Sequence, residues 1–276
     1  MMRFVPVVLL VCLSGCYTSE KIRMLECDAC ADDSPYTWPD DPVPPAEPIP
    51  RRVLYLVDVS ASMSVVDPPE VESGETRRNR AIRAAIHELL SDRMFDTAIS
   101  IVAFAFDARL LTFADFNGDG AYSENESMFV DDESFLVGSD GRSGVLELLL
   151  REGTSSRYRN AYLLAQQVVE EELARTSASD RARMMIEVVT VGDFGVFASD
   201  EEGVAERAVV DEVRRLVETA SRNGAENITV NSAHMETGTP AADDAGWQLA
   251  TLIADVGLGT ARSFTLDEEL DLLFED

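Results

Sequence analysis

At 276 residues the chain has room for one large domain or two small ones, and with 46% hydrophobic and 27% charged residues it has the composition of a globular protein with a sizeable core. Lys+Arg 23 against Asp+Glu 51 leaves a formal net charge of -28, which repels a nucleic-acid backbone. Lys21 is the one lysine, and His87 and His234 are the two histidines, so lysine-bearing phosphate loops, Schiff-base chemistry and histidine-rich zinc sites are excluded from the body of the protein.

Arg3 opens an apolar run, Phe4 to Leu13, that is too short for the ~30 Å of a bilayer and suits a signal-peptide core. The run closes with Leu13-Ser14-Gly15-Cys16, which resembles the bacterial lipobox. The resemblance implies that residues 1–15 are removed and that Cys16 carries the lipid. Tyr17, in place of an aspartate, favours the outer over the inner membrane, so the expected location is the cell envelope. Cys27 and Cys30 are expected to form a local disulfide or to remain thiols, since no strand-turn-helix pattern surrounds them as in a redox motif. From Asp32 to Pro50 the chain is rich in proline and acid, the composition of an extended spacer. Residues 16–50 therefore read as a lipidated tether, and 51–276 as the folded domain.

Beyond Arg52 apolar strands alternate with amphipathic helices. Val53-Val57 reads as a buried parallel strand. Thr76 to Leu90 reads as a helix with Ile82, Ala85, Ile86 and Leu89 on one face. Ala98-Phe106 and Leu110-Phe113 read as an antiparallel pair turning at Asp107-Arg109. Helices are predicted at Arg159 to Leu173 and Val204 to Ala220, and strands at Met184 to Val191 and Asn227-Asn231. Thr239-Pro240 predicts a helix start, Ala261-Phe264 a last strand, and Thr265-x-x-Glu268 a capping box for a short final helix. The pattern predicts an α/β fold: an open, mostly parallel, doubly wound sheet with one antiparallel edge strand, ligands meeting the C-terminal ends of its strands. The acidic helix faces, Glu170-Glu171-Glu172 among them, read as solvated surface.

Asp58-Val59-Ser60-Ala61-Ser62 directly follows the first strand and offers a carboxylate and two hydroxyls at alternate positions. These are hard oxygen donors suited to Mg2+, Mn2+ or Ca2+ rather than zinc. Thr154, adjoined by Ser155 and Ser156, precedes the second long helix, and Asp193 follows the strand ending at Val191. In this order the residues resemble the metal-ion-dependent adhesion site of von Willebrand factor type A domains, and the resemblance spans roughly Val53 to Phe274. It implies a site built from Asp58, Ser60, Ser62, Thr154 and Asp193, with one coordination position left for a protein partner's carboxylate and no bond cleavage. The family's Thr-Asp-Gly turn is replaced here by Gly192-Asp193-Phe194. The bare alternative is that Asp58 and the serines only cap a turn or the next helix.

The stretch Asp115 to Glu126 fits the D-x-[DN]-x-[DN]-G-x5-E calcium loop, with Asp115, Asn117, Asp119, Tyr122 through its carbonyl, and Glu126 as ligands and Gly120 at the turn. A free-standing calcium loop is expected there, against a solvated acidic turn. His234 shares the rim with Ser60 and Asp193, which admits a serine-histidine-acid hydrolase as the alternative. Metal-assisted phosphoester hydrolysis and a purely structural envelope lipoprotein are two more. No G-x-S-x-G elbow is present. The expectation is an envelope-anchored, metal-dependent protein-binding module that is not an enzyme.

Overall fold

The computed structural model describes residues 47–112, 127–138, 144–149, 155–195, 204–238 and 244–274. The elements in chain order are β1 (Ile49–Asp58), α1 (Met63–Val66), α2 (Arg77–Ser91), β2 (Phe95–Phe104), β3 (Ala108–Leu110), α3 (Glu133–Val137), a 3-10 turn (Val145–Leu148), α4 (Tyr158–Arg175), α5 (Ala178–Arg183), β4 (Met185–Gly192), α6 (Val204–Arg222), β5 (Asn227–Met235), α7 (Ala245–Val256) and β6 (Leu258–Phe264). Cys16, Cys27, Cys30, the loop from Asp115 to Glu126 and Thr154 lie outside the described residues. Among the described residues no helix is long and apolar enough to cross a membrane.

The six strands form one sheet in the order β3-β2-β1-β4-β5-β6. All pairings are parallel except that of β3, which runs antiparallel on the β2 edge. The expected fold class is therefore the observed one. A strand's side chains alternate between faces, and β1 uses both: Val53, Tyr55 and Val57 pack with Ile82, Ile86 and Leu89 of α2, while Leu54 and Leu56 pack with Tyr162, Ala165 and Val169 of α4. Burial on both faces is why β1 reads as an unbroken apolar run rather than an alternating one.

Several boundaries differ from expectation for identifiable reasons. β1 begins at Ile49, inside the stretch read as tether: the Ile49 N–H donates to the Met94 carbonyl at 3.1 Å. Pro50 precedes the β4 pairing, which starts at Arg51, so its missing N–H breaks no ladder on that side. The hairpin turns earlier than predicted, the Ala105 N–H reaching the Asp107 carbonyl at 3.0 Å. Helix α7 starts at Ala245, where the Asp244 carboxylate accepts the Trp247 N–H at 2.8 Å, rather than at Thr239-Pro240, which lies outside the described residues. The predicted capping box at Thr265 closes only a turn: Thr265 N–H donates to the Glu268 carboxylate at 2.7 Å, yet no helix follows. The Arg77 guanidinium takes the Thr265 and Glu268 carbonyls, acceptors a helix would have used, and Leu270 and Leu272 fold into the α2-side core.

Candidate metal centre

The sheet order reverses between β1 and β4, so the helices connecting outward from these two strands leave to opposite sides and a crevice opens between their C-terminal ends. Val57 pairs with Val191 across that junction, which sets Asp58 opposite Gly192 at the rim. Gly192 is required by close approach: a Cβ there would lie 2.4 Å from the Tyr158 hydroxyl and 2.9 Å from the Asp58 Cβ. The topology thus brings two carboxylates together, Asp58 ending β1 and Asp193 following β4.

Tyr158 joins them. Its hydroxyl donates to Asp58 Oδ2 at 3.0 Å, reaches Asp193 Oδ1 at 3.5 Å and accepts the Phe194 N–H at 2.7 Å. On the other side of Asp58, the Ser60 N–H donates to Asp58 Oδ1 at 2.8 Å. Ser60 Oγ lies 2.9 Å from Ser62 Oγ and accepts a hydrogen bond from Ser156 Oγ at 2.7 Å. Ser62 occupies the N-cap position of α1 but its side chain caps nothing. Turn capping therefore accounts for one Asp58 oxygen and leaves the serine hydroxyls, which form a chain of their own, without a capping role. From the loop before α4 the described hydroxyl that reaches this chain is Ser156.

Electrostatically the site is in deficit. Asp58 is fully buried, and burial together with the Asp193 charge pushes its carboxyl up to about 6. Arg78 is buried beside it, but its guanidinium donates to the Asp58 backbone carbonyl at 2.6 Å and pairs with Asp67 at 3.5 Å. Asp58's carboxylate oxygens are left with hydroxyl and amide donors. Asp67, itself buried, accepts the Arg77 N–H at 2.9 Å and so anchors the start of α2 behind the site. A groove of about 610 Å³ opens next to Ser60, bordered by Met63, Asp67, Arg78, Asn79 and Glu147.

Asp193 is held by an aromatic row that sequence reasoning did not foresee. Phe104, Tyr158, Phe194, His234 and Trp247 follow one another with ring-centroid separations of 4.9, 5.0, 6.0 and 5.9 Å. Phe194 stands at φ 51°, a left-handed conformation that glycine adopts freely and other residues rarely do. Here the cost, about 1–2 kcal/mol for a non-glycine residue, is offset by a fully buried ring stacked on Tyr158. One signal for Tyr158 was available: it lies one helical turn before Tyr162 on the same inward face of α4.

His234 does not meet Ser60 among the described contacts, so the expected Ser60-His234-Asp193 arrangement is not formed. Its Nδ1 lies 3.2 Å from Ser263 Oγ and its Nε2 3.8 Å from Asp244, with burial lowering its pKa below the usual histidine range. Gly246 lets α7 close over it, since a Cβ would sit 2.6 Å from the Asp193 carbonyl oxygen. His87 is on the surface of α2, 2.8 Å from Glu133.

The donors at the rim are two carboxylates and several hydroxyls, all hard oxygens, which fit Mg2+, Mn2+ or Ca2+. Among the described residues no group of three or more His, Cys, Asp or Glu side chains gathers.

No family model matches the chain, and no curated protein matches it. Among solved structures it is similar to the von Willebrand factor type A protein of Catenulispora acidiphila, at 14% identity and a TM-score of 0.47, over 78% of this chain and 39% of that one. It is likewise similar to BatB of Bacteroides thetaiotaomicron, at 15% identity and a TM-score of 0.45, over 78% of this chain and 90% of that one. A third similar structure is proximal thread matrix protein 1 of the mussel byssus, described with a zinc-occupied MIDAS motif, at 9% identity and a TM-score of 0.46, over 79% of this chain and 44% of that one. The chain spans less than half of the Catenulispora and byssus proteins, and at such identities the functional reading rests on the side chains at the rim.

Proposed function

We propose that the chain is an envelope-anchored lipoprotein, tethered through Cys16, whose von Willebrand factor type A-like domain binds a protein partner through a divalent ion. The observation that carries this reading is the meeting of Asp58 and Asp193 on one tyrosine hydroxyl at the sheet's switch point, beside the Ser60-Ser62-Ser156 hydroxyl chain. Asp58, Ser60, Ser62 and Asp193 would hold the ion, with Thr154 or Ser156 contributing from the loop before α4. When bound, the ion would supply a Lewis-acidic position for a carboxylate of the partner. Tyr158 and the aromatic row fix the separation of the two acids in advance, and the groove beside Ser60 leaves space for partner side chains. Binding rather than hydrolysis is favoured because the Ser60 and Ser62 hydroxyls are engaged with one another and with Ser156, with no histidine among their described partners to take a proton. A second ion, Ca2+, is proposed for the loop of Asp115, Asn117, Asp119, Tyr122 and Glu126.

Titration calorimetry with Mg2+ and Mn2+ tests the main site. Wild type is expected to bind, Asp193→Ala and Asp58→Ala to lose that binding, and Asp119→Ala to keep it. Retention of the same stoichiometry and affinity in Asp193→Ala would remove the proposed centre. Metabolic labelling with a fatty acid, lost in Cys16→Ser, tests the anchor.

A further inference from the structure

On the β2 side of the metal centre the loop after β2 presents Phe106, 50% exposed, and the residue before α4 is Arg157, also exposed. The two are locked together. The Arg157 guanidinium lies over the Phe106 ring at 3.8 Å from its centroid, the Arg157 N–H donates to the Ala105 carbonyl at 2.8 Å, and Asn160 holds the Phe106 carbonyl at 3.0 Å. Arg157 stands between Ser156, whose hydroxyl meets Ser60, and Tyr158, whose hydroxyl meets Asp58.

Among the described residues its charge is not paired with a carboxylate. Arg51, Arg52, Arg83, Arg159, Arg183 and Arg215 all pair with carboxylates. Arg157 has no ion pair among the described residues, only the aromatic ring beneath it. Stacking on a ring restrains the side chain and leaves the edge of the guanidinium, with its N–H donors, facing outward. In a protein of net charge -28 a restrained cation at the rim of an acidic site, without an ion pair among the described residues, is a marked local exception. Aromatic and arginine residues are also the side chains that dominate binding energy when they become buried in an interface.

We infer that Arg157, held on Phe106, is a second anchor that selects a partner segment carrying two acidic side chains: one reaches the metal centre and the other pairs with Arg157. The inference rests on the metal-dependent reading above. Elsewhere the acidic surface repels such a segment, so the two positive features of the rim fix where it docks. Arg157 adjoins Ser156 in the chain, one backbone step of about 3.8 Å, and acidic side chains at i and i+2 of an extended segment lie about 7 Å apart on one face, which makes such a segment the natural probe.

The test uses the full chain with Mg2+ and two synthetic probes, acetyl-Asp-Gly-Asp-amide and acetyl-Asp-Gly-Asn-amide, followed by calorimetry or NMR titration. Wild type is expected to prefer the doubly acidic peptide by about two- to fivefold, the value of one exposed ion pair. Arg157→Gln should abolish the preference, and Phe106→Leu should reduce it by releasing the guanidinium. Arg93→Gln, an equal charge change at an exposed site before β2, should keep it. Preference undiminished in Arg157→Gln, or no binding of the doubly acidic peptide at millimolar concentration, overturns the inference. If the preference survives EDTA unchanged, it is the metal reading that fails, while loss of the preference in Arg157→Gln would still support the anchor.

Discussion

Replacing Asp58 by Asn separates a metal ligand from a turn cap, because the two roles predict opposite signs. Asp58 is buried and its carboxyl is pushed up from 3.8 to about 6 by that burial and by the Asp193 charge. A folded-state value raised above the unfolded one means that this group's contribution is most favourable below about pH 4 and is lost as pH rises through about 6. Two units correspond to about 3 kcal/mol at neutral pH. Asn keeps the shape, can still accept the Ser60 N–H, and removes the charge. In EDTA at about pH 7.5 the variant is therefore expected to be more stable than wild type by about 2–3 kcal/mol, or about 5–10 °C in Tm for a domain of this size. With Mg2+ at a hundredfold excess over its Kd, wild type gains about 2.7 kcal/mol and the variant gains nothing. The wild-type minus variant difference should also shrink by about 1–2 kcal/mol on acidification to about pH 5 in EDTA, which isolates Asp58 from the general relief of charge repulsion. Thermal melts of both proteins with and without Mg2+ decide the matter. A variant that is less stable in EDTA and equally responsive to Mg2+ would refute the argument, for Asp58 would then be a structural cap.

Tyr158→Phe leaves the Phe194 N–H without its acceptor and the two carboxylates without their bridge; a loss of about 1–3 kcal/mol in EDTA melts is expected, together with a weaker Mg2+ affinity by calorimetry. Phe194→Gly removes the backbone penalty of about 1–2 kcal/mol but also a fully buried ring worth about 3–5 kcal/mol, so denaturant melts should show a net loss; a stabilised variant would mean that the ring does not hold the turn. Asp67→Ala strips the start of α2 of its carboxylate and leaves Arg78 buried without a pair, an expected cost of about 3–5 kcal/mol in urea unfolding.

The fold was legible because its signals are local and repeated. Five consecutive apolar residues in β1 can only be covered on two sides, and the spacing of Ile82, Ala85, Ile86 and Leu89 fixes the face of α2. The Asp58 loop was legible for the same reason: its donors lie within five residues of one another. What escaped depends on contacts between distant segments. The turn at Thr265 stops short of a helix because Arg77, far earlier in the chain, takes its carbonyls. Asp244, not Thr239, starts α7, where Gly246 lets the helix approach Asp193. Ser156 rather than Ser155 meets Ser60, a choice set by where α4 begins and not by residue type.

The departure of Gly192-Asp193-Phe194 from the Thr-Asp-Gly turn that the sequence resemblance implied has a physical reading once the aromatic row is seen. A glycine after the aspartate gives the backbone its left-handed turn at no steric cost, but it fixes nothing by packing. Phe194 accepts the strain and in return ties the turn to Tyr158 on one side and His234 on the other. The separation of the two carboxylates is then set by buried rings at three points of the chain rather than by a free loop. On the metal-binding reading proposed above, such a site would meet its ion with little reorganisation, and the mutual repulsion of its two carboxylates would be the source of its affinity for a cation.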